Sequence, residues 1–385
     1  MGYKVIGKNL RRLRDASGLT QLQLAEAAGL SRVGYRNIET GKSVPKVETV
    51  RALAGALEVP VDKLVSQVHE IRQVRLRSLK RLRSREQIIV EVGRKLADVR
   101  ELEEALDDTR DFNLAGLSER LPGEGENRAI AAAAAAREAF GRRDDEPIRD
   151  ICGLLEKNGI KVFSFRLASN DFFGLSVGPV DGGPAIVVNT WDRISVERWI
   201  FSAAHELGHL ILHLDAYDVT EAAENGEQER EANVFASHFL MPEEVFQKEW
   251  DETYGLPFVN RVLKVKRMFQ VSYKTVLYRL AASNPGVNVW RLFQNGFRLR
   301  FGRTLRRADE PEGLREADYH SGAPESQRAG EPTRLVAEDF LHDRLWLLVR
   351  RGVEDGIISF ARGAEILDVS LDELREASRG WVGSL

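Results

Sequence analysis

Residues 205–213 read His-Glu-Leu-Gly-His-Leu-Ile-Leu-His, and their pattern is that of a helix. On an α-helix, positions i and i+4 share a face, so His205 and His209 offer two imidazoles to one metal ion. Glu206 lies beside them, placed to take a proton from a metal-bound water rather than to bind the metal. This stretch therefore asks for a third ligand brought in from elsewhere in the fold.

A hydrolytic zinc site uses three protein ligands and leaves one position open. His213 continues the i+4 series, but on a continuous helix it lies about 12 Å from His205 along the axis at 1.5 Å per residue. No glycine breaks the helix after His209, so His213 is expected to pack or to support a ligand. The segment 228–236, Gln-Glu-Arg-Glu-Ala-Asn-Val-Phe-Ala, supplies better candidates. Glu229, Ala232, Asn233, Ala236 and Leu240 fall on one helical face, so Glu229 is favoured. Glu231 points roughly opposite and is the fallback. Two histidines and one carboxylate favour zinc, with manganese as the alternative.

The first hundred residues carry a different signal. They hold 21 Lys and Arg against 10 Asp and Glu, whereas the whole chain has a net charge of −3. A basic front end on an acidic body suits a nucleic-acid footprint confined to the N-terminus. Residues 6–64 read as about five short helices with apolar residues at helical spacing. Thr20 can cap a helix that starts at Gln21, Gly29 can end it, and Ser31 can cap the next. So tight a glycine-containing turn between two helices is helix-turn-helix geometry.

The 385 residues suffice for two or three domains, and no apolar run of 18 residues appears, so no membrane span is expected. The single cysteine, Cys152, excludes an internal disulfide and is expected to be buried. A cytoplasmic location follows from these features. Residues 66–106 read as one long helical run bearing Arg72, Arg75, Arg77, Lys80, Arg81, Arg83 and Arg85. Gly116, Pro122, Gly123 and Gly125 mark a hinge over 107–125. Beyond it, Asn127–Phe140 is alanine-rich and helical, a second helix runs from about Pro147 to Lys157, and strands are expected at 160–165, 172–177 and 185–188. Such strands leading into the 205–213 helix could offer an edge to an extended peptide. Residues 303–334 are rich in Gly, Pro, Glu and Arg and read as a linker. Helical spacing returns over 336–378.

Two resemblances build on these residues. Leu10-Arg11-Arg12-Leu13-Arg14, Leu19-Thr20-Gln21, Leu24-Ala25, Gly29-Leu30-Ser31, Ile38-Glu39, Gly41 and Pro45 resemble the XRE, or lambda-repressor-like, family. That resemblance implies a double-stranded DNA operator as partner, Gln21 at the phosphate backbone, and a recognition helix over Ser31–Glu39. Arg32, Val33, Arg36 and Asn37 would face the major groove, and Tyr35 and Ile38 the core. It also implies a homodimer, by analogy with two half-sites. Glu197-Arg198, the run from Phe201 to His213, Glu229 with Ala232-Asn233, and Leu240-Met241-Pro242 resemble the ImmA/IrrE metallopeptidases, which are similar to gluzincins. So do Arg128 with Arg137, and Gly159-Ile160. His238 departs from the pattern and is read as a surface residue.

The second resemblance implies zinc held by His205, His209 and Glu229, with Glu206 as general base and Asn233 hydrogen-bonded to a ligating histidine. It further implies a site-specific endopeptidase that cleaves a partner, an XRE-type repressor, and so derepresses genes. Two competing readings stay open. One is a transcription factor whose metal domain senses or docks without cutting, and the other is an antitoxin-like repressor.

The expected architecture is multi-domain and mainly α, with an α+β zincin-like peptidase domain. A helix-turn-helix domain spans 1–66, a helical connector and hinge 67–125, and the peptidase domain 126–284. A poorly structured linker then covers 285–334, and a small helical region covers 335–385.

Overall fold

The computed structural model describes residues 3–65, 71, 73–76, 85–114, 116–142, 148, 150–169, 172–217, 225–306, 309–313 and 343–381. They divide into two compact units, one of residues 1–71 with 78–98 and the other of 72–77 with 99–385.

The first unit begins with α1 (Tyr3–Ala16), α2 (Gln21–Ala27), α3 (Arg32–Glu39), α4 (Val47–Ala56) and α5 (Asp62–Val65). The sequence sets the breaks between them. Thr20 and Gln23 form a reciprocal capping box at the start of α2. Gly29 takes φ +69° after it, and Ser31 accepts from the Gly34 amide to start α3. Leu10, Leu24, Ala25, Tyr35 and Leu53 close the core with no exposed surface. At Gly7 a β-carbon would stand 2.5 Å from the Glu39 carbonyl, so only glycine lets α1 pass the end of α3. Glu39 gathers three donors: Arg14 Nε at 2.8 Å, Tyr35 Oη at 3.0 Å, and Gln21.

The connector corrects the expectation of a single helical run over 66–106. Val74–Leu76 is a strand, β1, and α6 covers Arg85–Ala105. Pairing with a neighbouring strand outweighs the helical spacing of so short a segment. Arg72, Arg77, Lys80, Arg81 and Arg83 lie outside the described residues, as does Pro147.

In the second unit the strands β2 (Lys161–Phe165), β3 (Gly174–Val177) and β4 (Ala185–Asn189) join β1 in the order β1-β3-β4-β2. β2 and β4 are parallel, and the other two pairs are antiparallel. The helices of this part are α7 (Gly125–Ala139), α8 (Ile151–Lys157), α9 (Val196–Leu212) and α10 (Gly226–Leu240). α9 packs on β3, β4 and α10, and α10 packs in turn on α7. Ala129, Ala132, Ala133 and Ala136 line the buried side of α7, and their small side chains let the helices approach closely. Arg137, almost wholly buried, donates to the Phe239 carbonyl at 2.9 Å.

The helices α11 (Glu243–Glu252), α12 (Phe258–Phe269) and α13 (Tyr273–Ser283) complete this core. The expected linker over 285–334 is corrected in its first part, because Val289–Phe301 is a helix, α14. Val289, Phe293 and Phe297 are buried at a four-residue spacing, which is a core-facing stripe. The later part, 314–334, lies outside the described residues. The C-terminal helices are α15 (Asp343–Glu354), α16 (Phe360–Leu367) and α17 (Leu371–Ser378), the last opened by a Ser370–Glu373 capping box. Arg344 on α15 is buried and bonds Glu103 at 3.0 Å and Asp108 at 3.2 Å. Among the described residues, no helix is long and apolar enough to cross a membrane.

Candidate metal centre

α9 is buried along nearly its whole length, an environment in which a polar side chain must find a partner. His205 and His209 sit one turn apart on its α10-facing side. Gly208 makes room for that neighbour, since a β-carbon there would stand 2.9 Å from the Phe235 ring. This close contact draws the first turn of α10 towards the histidines. Glu229 Oε2 lies 3.3 Å from His205 Nε2, and Glu229 Oε1 lies 3.1 Å from His209 Nε2. The two Nε2 atoms are themselves 3.0 Å apart.

Three donor atoms so close suit a divalent cation. Ligand bonds of about 2.0–2.2 Å in a tetrahedral arrangement put donors roughly 3.4 Å from one another. His205, His209 and Glu229 form the one group of three or more metal-binding side chains of this kind among the described residues. Of the two acidic candidates, the structure brings Glu229 to the imidazoles. Glu231 pairs instead with His213, 2.6 Å from its Nε2.

Outer hydrogen bonds set the direction of both rings. Asn233 Oδ1 lies 3.0 Å from His205 Nδ1. His213, the residue that closes α9, puts its Nδ1 2.9 Å from His209 Nδ1. In each case Nδ1 is engaged away from the centre, which leaves Nε2 aimed into it. Burial holds His209 well below the ordinary imidazole range and lowers His213 as well, so neutral rings are favoured. Burial alone would raise Glu229, but its contacts with His205 and His209 outweigh it and hold the carboxyl low.

Glu206, one residue after His205, reaches the sheet. Ser176 on β3 donates to its Oε2 at 2.6 Å, and Tyr217 donates to Ser176 Oγ at 2.7 Å. Burial raises Tyr217 well above the ordinary phenol range, with the Glu206 charge adding to it, so Tyr217 stays a donor. Gly174 keeps this corner open, because a β-carbon there would meet the Val187 carbonyl at 2.9 Å and Glu206 Cγ at 3.4 Å. Ser176 and Tyr217 carry little signal in the sequence. A lone hydroxyl in the apolar strand Gly-Leu-Ser-Val was the only signal for the first, and none marked the second.

Arg75 was also unmarked, beyond its place in a cationic run. From β1 its Nη1 donates to Gln228 Oε1 at 2.7 Å, and its Nη2 lies 3.6 Å from Glu229 Oε1. His238 is half-buried rather than a surface residue, and burial, helped by the Arg279 charge, lowers it to about 3.

In the helical reader, Arg32, Val33 and Arg36 are exposed on α3, with Val33 68% exposed, whereas Tyr35 and Ile38 are buried. Asn37 is half-buried. Ser31 caps the helix, and Gln21 donates to Glu39. Arg32, Val33 and Arg36 thus share one exposed face of α3, the second helix of the pair.

Comparison with known proteins adds two family matches. A helix-turn-helix family model matches residues 10–64, and the IrrE N-terminal-like domain, a peptidase family, matches residues 155–281. The chain is similar to the HTH-type transcriptional repressor RghR of Bacillus subtilis (strain 168), 42% identical over 73 residues, which are 17% of this chain and 54% of that protein. It is also similar to the immunity repressor protein of Bacillus phage phi105, 39% identical over 62 residues, 16% of this chain and 43% of that protein. The chain thus spans about half the length of these two relatives. A third, the HTH-type transcriptional regulator y4dJ of Sinorhizobium fredii (strain NBRC 101917 / NGR234), is 37% identical over 67 residues, 17% of this chain and 87% of that protein.

Proposed function

Because the chain belongs to the XRE-type helix-turn-helix regulators and carries an IrrE N-terminal-like domain of a metallopeptidase family, we propose that it joins operator binding to zinc-dependent cleavage of a partner repressor. One observation carries this reading: the convergence of His205, His209 and Glu229 with Glu206 one residue along the same helix. Asn233 and His213 support it by turning both Nε2 atoms inward.

A zinc ion held by these three ligands, or manganese in its place, would supply Lewis acidity towards a peptide carbonyl and make water easier to deprotonate. The other steps belong to the chain. Glu206 accepts the proton that water loses as its oxygen bonds to the carbonyl carbon, and returns it to the departing amine as the C–N bond breaks. Ser176, steadied by Tyr217, holds the Glu206 carboxylate in place through that exchange. Gln21 and the exposed face of α3, with Arg32, Val33, Arg36 and Asn37, bind the operator as one half of a homodimer. Bound there, the peptidase is kept at high local concentration near a DNA-bound, XRE-type target.

Zinc-loaded full-length protein incubated with an XRE-type repressor that it cleaves should yield two discrete fragments, and Glu206→Gln should abolish them. The three named relatives are called repressors or regulators, and a second reading keeps regulation as the whole role, with the metal domain sensing without cutting. Regulation that survives Glu206→Gln with the repressor intact in cells would select that reading.

A further inference from the structure

The edge of β3 is where an extended polypeptide would reach this centre. Cross-strand neighbours share a face of the sheet, and Ser176 already points at Glu206. Any residue paired with Ser176 therefore sends its side chain towards the catalytic groups. That place is filled from within the chain. β1 pairs antiparallel with β3 in the register Val74–Val177, Arg75–Ser176 and Leu76–Leu175. Arg75, opposite Ser176, reaches Gln228 at 2.7 Å and the metal ligand Glu229 at 3.6 Å. The segment is anchored one residue earlier, where the Gly178 amide donates to the Gln73 carbonyl at 2.9 Å and the Gln73 amide donates to the Asp181 carboxylate.

We propose that Val74–Leu76 is an internal strap in the substrate strand of this site, so that an extended peptide pairs with β3 only when the strap leaves. The proposal rests on the reading of the site as a peptidase centre. Three observations separate the strap from an ordinary edge strand. It is only three residues long, so few ladder hydrogen bonds hold it. It places a cation against a carboxylate that a divalent ion also needs. It also comes from the sequence between the two family matches rather than from within the peptidase match at 155–281. A strand so held is displaceable, and a competing occupant lowers apparent affinity by the fraction of time it fills the site.

The test uses full-length, zinc-loaded protein carrying Glu206→Gln, so that binding is read without hydrolysis. The probe is a fluorescein-labelled peptide copying residues 70–80 of this chain. It should bind at least ten-fold more tightly when Arg75→Glu is added, and likewise with Gln73→Pro, which removes the anchoring amide. Thermal unfolding confirms that each variant is folded. In the parent, the Arg75 amide, which faces β3, should exchange slowly with deuterium and lose protection when the peptide saturates the site. Equal affinity in parent and both variants, no binding to any of them, or peptide bound while the Arg75 amide stays protected would overturn the proposal. The two readings fail separately. Strap variants that bind the peptide yet, with Glu206 restored, cut no partner would remove the peptidase and keep the strap. A partner cut equally fast by parent and strap variants would do the reverse.

Discussion

His213 stands 2.9 Å from His209, Nδ1 to Nδ1, and hands its other ring nitrogen to Glu231 at 2.6 Å. These contacts form one line of hydrogen bonds: a Glu231 carboxylate accepts from His213 Nε2–H, and His213 Nδ1 accepts from His209 Nδ1–H. Only that arrangement leaves His209 Nε2 with its lone pair turned inward. Loss of the outer partner should therefore weaken metal binding without removing a ligand. Glu231→Ala and His213→Ala are each expected to lower zinc affinity by about 10–100-fold, read by competition with a chromogenic chelator. Unchanged affinity in both would show that the line has no bearing on the metal.

Glu206 has its own support, from the sheet. A hydrogen bond to a charged group contributes about 1.5–3 kcal/mol, and Ser176→Ala removes one from the Glu206 carboxylate. Turnover of a cleavable partner should fall at least ten-fold, since about 1.4 kcal/mol is a factor of ten. Bound zinc should stay stoichiometric, because Ser176 is not a ligand. Tyr217→Phe should fall in the same direction by less, acting only through Ser176. A variant that lost metal along with turnover would point to a misfolded centre instead.

The exposed face of α3 leads to a separate prediction. Arg32→Ala and Arg36→Ala should each cost about 1–3 kcal/mol in operator affinity if the guanidinium reads a base edge. Electrophoretic titration at fixed salt, with operator and scrambled duplexes compared, checks this. A loss equal on both duplexes would make that arginine a phosphate contact. Tyr35→Phe, by contrast, removes a buried hydrogen bond to Glu39 and should lower the stability of the reader rather than its specificity.

Local rules carried the helical reader and the metal helix. Thr20, Gly29 and Ser31 mark helix ends by chemistry that acts within three residues, so their roles could be read directly. His205 and His209 are tied by one helical turn, and Glu229 could be chosen over Glu231 because helical phase separates them. The contributions that escaped are all long-range. Arg75 enters the centre through a three-residue strand more than 150 residues away from Glu229, too short to impose a period of two. Tyr217 acts through Ser176, 41 positions before it. The α14 helix was hidden by the Gly- and Pro-rich segment that follows it, although its own phenylalanines at 293 and 297 keep helical phase.

One buried cluster far along the chain sets a pH dependence. Lys266 on α12 is almost wholly buried and bridges two carboxylates, Glu197 at 2.7 Å and Glu310 at 3.2 Å. Burial raises Glu310 from 4.5 to about 7; the Lys266 charge opposes this, and repulsion from Glu197 adds to it. The folded protein thus holds a proton on Glu310 across a window in which the unfolded chain has lost it. Stability rises with pH only where the unfolded state binds more protons. Here the folded state binds more, so this group's contribution is fully present below about pH 4.5 and is lost as pH rises towards 7. At 1.36 kcal/mol per unit, the change is on the order of 2–3 kcal/mol over the window. Glu310→Gln keeps an acceptor for the Tyr273 amide but cannot ionise. Its unfolding midpoint should match the parent's near pH 4.5 and move several degrees above it by pH 7.5. If the two midpoints stay parallel across that range, Glu310 titrates alike in the folded and unfolded chain and its burial beside Lys266 sets no pH dependence.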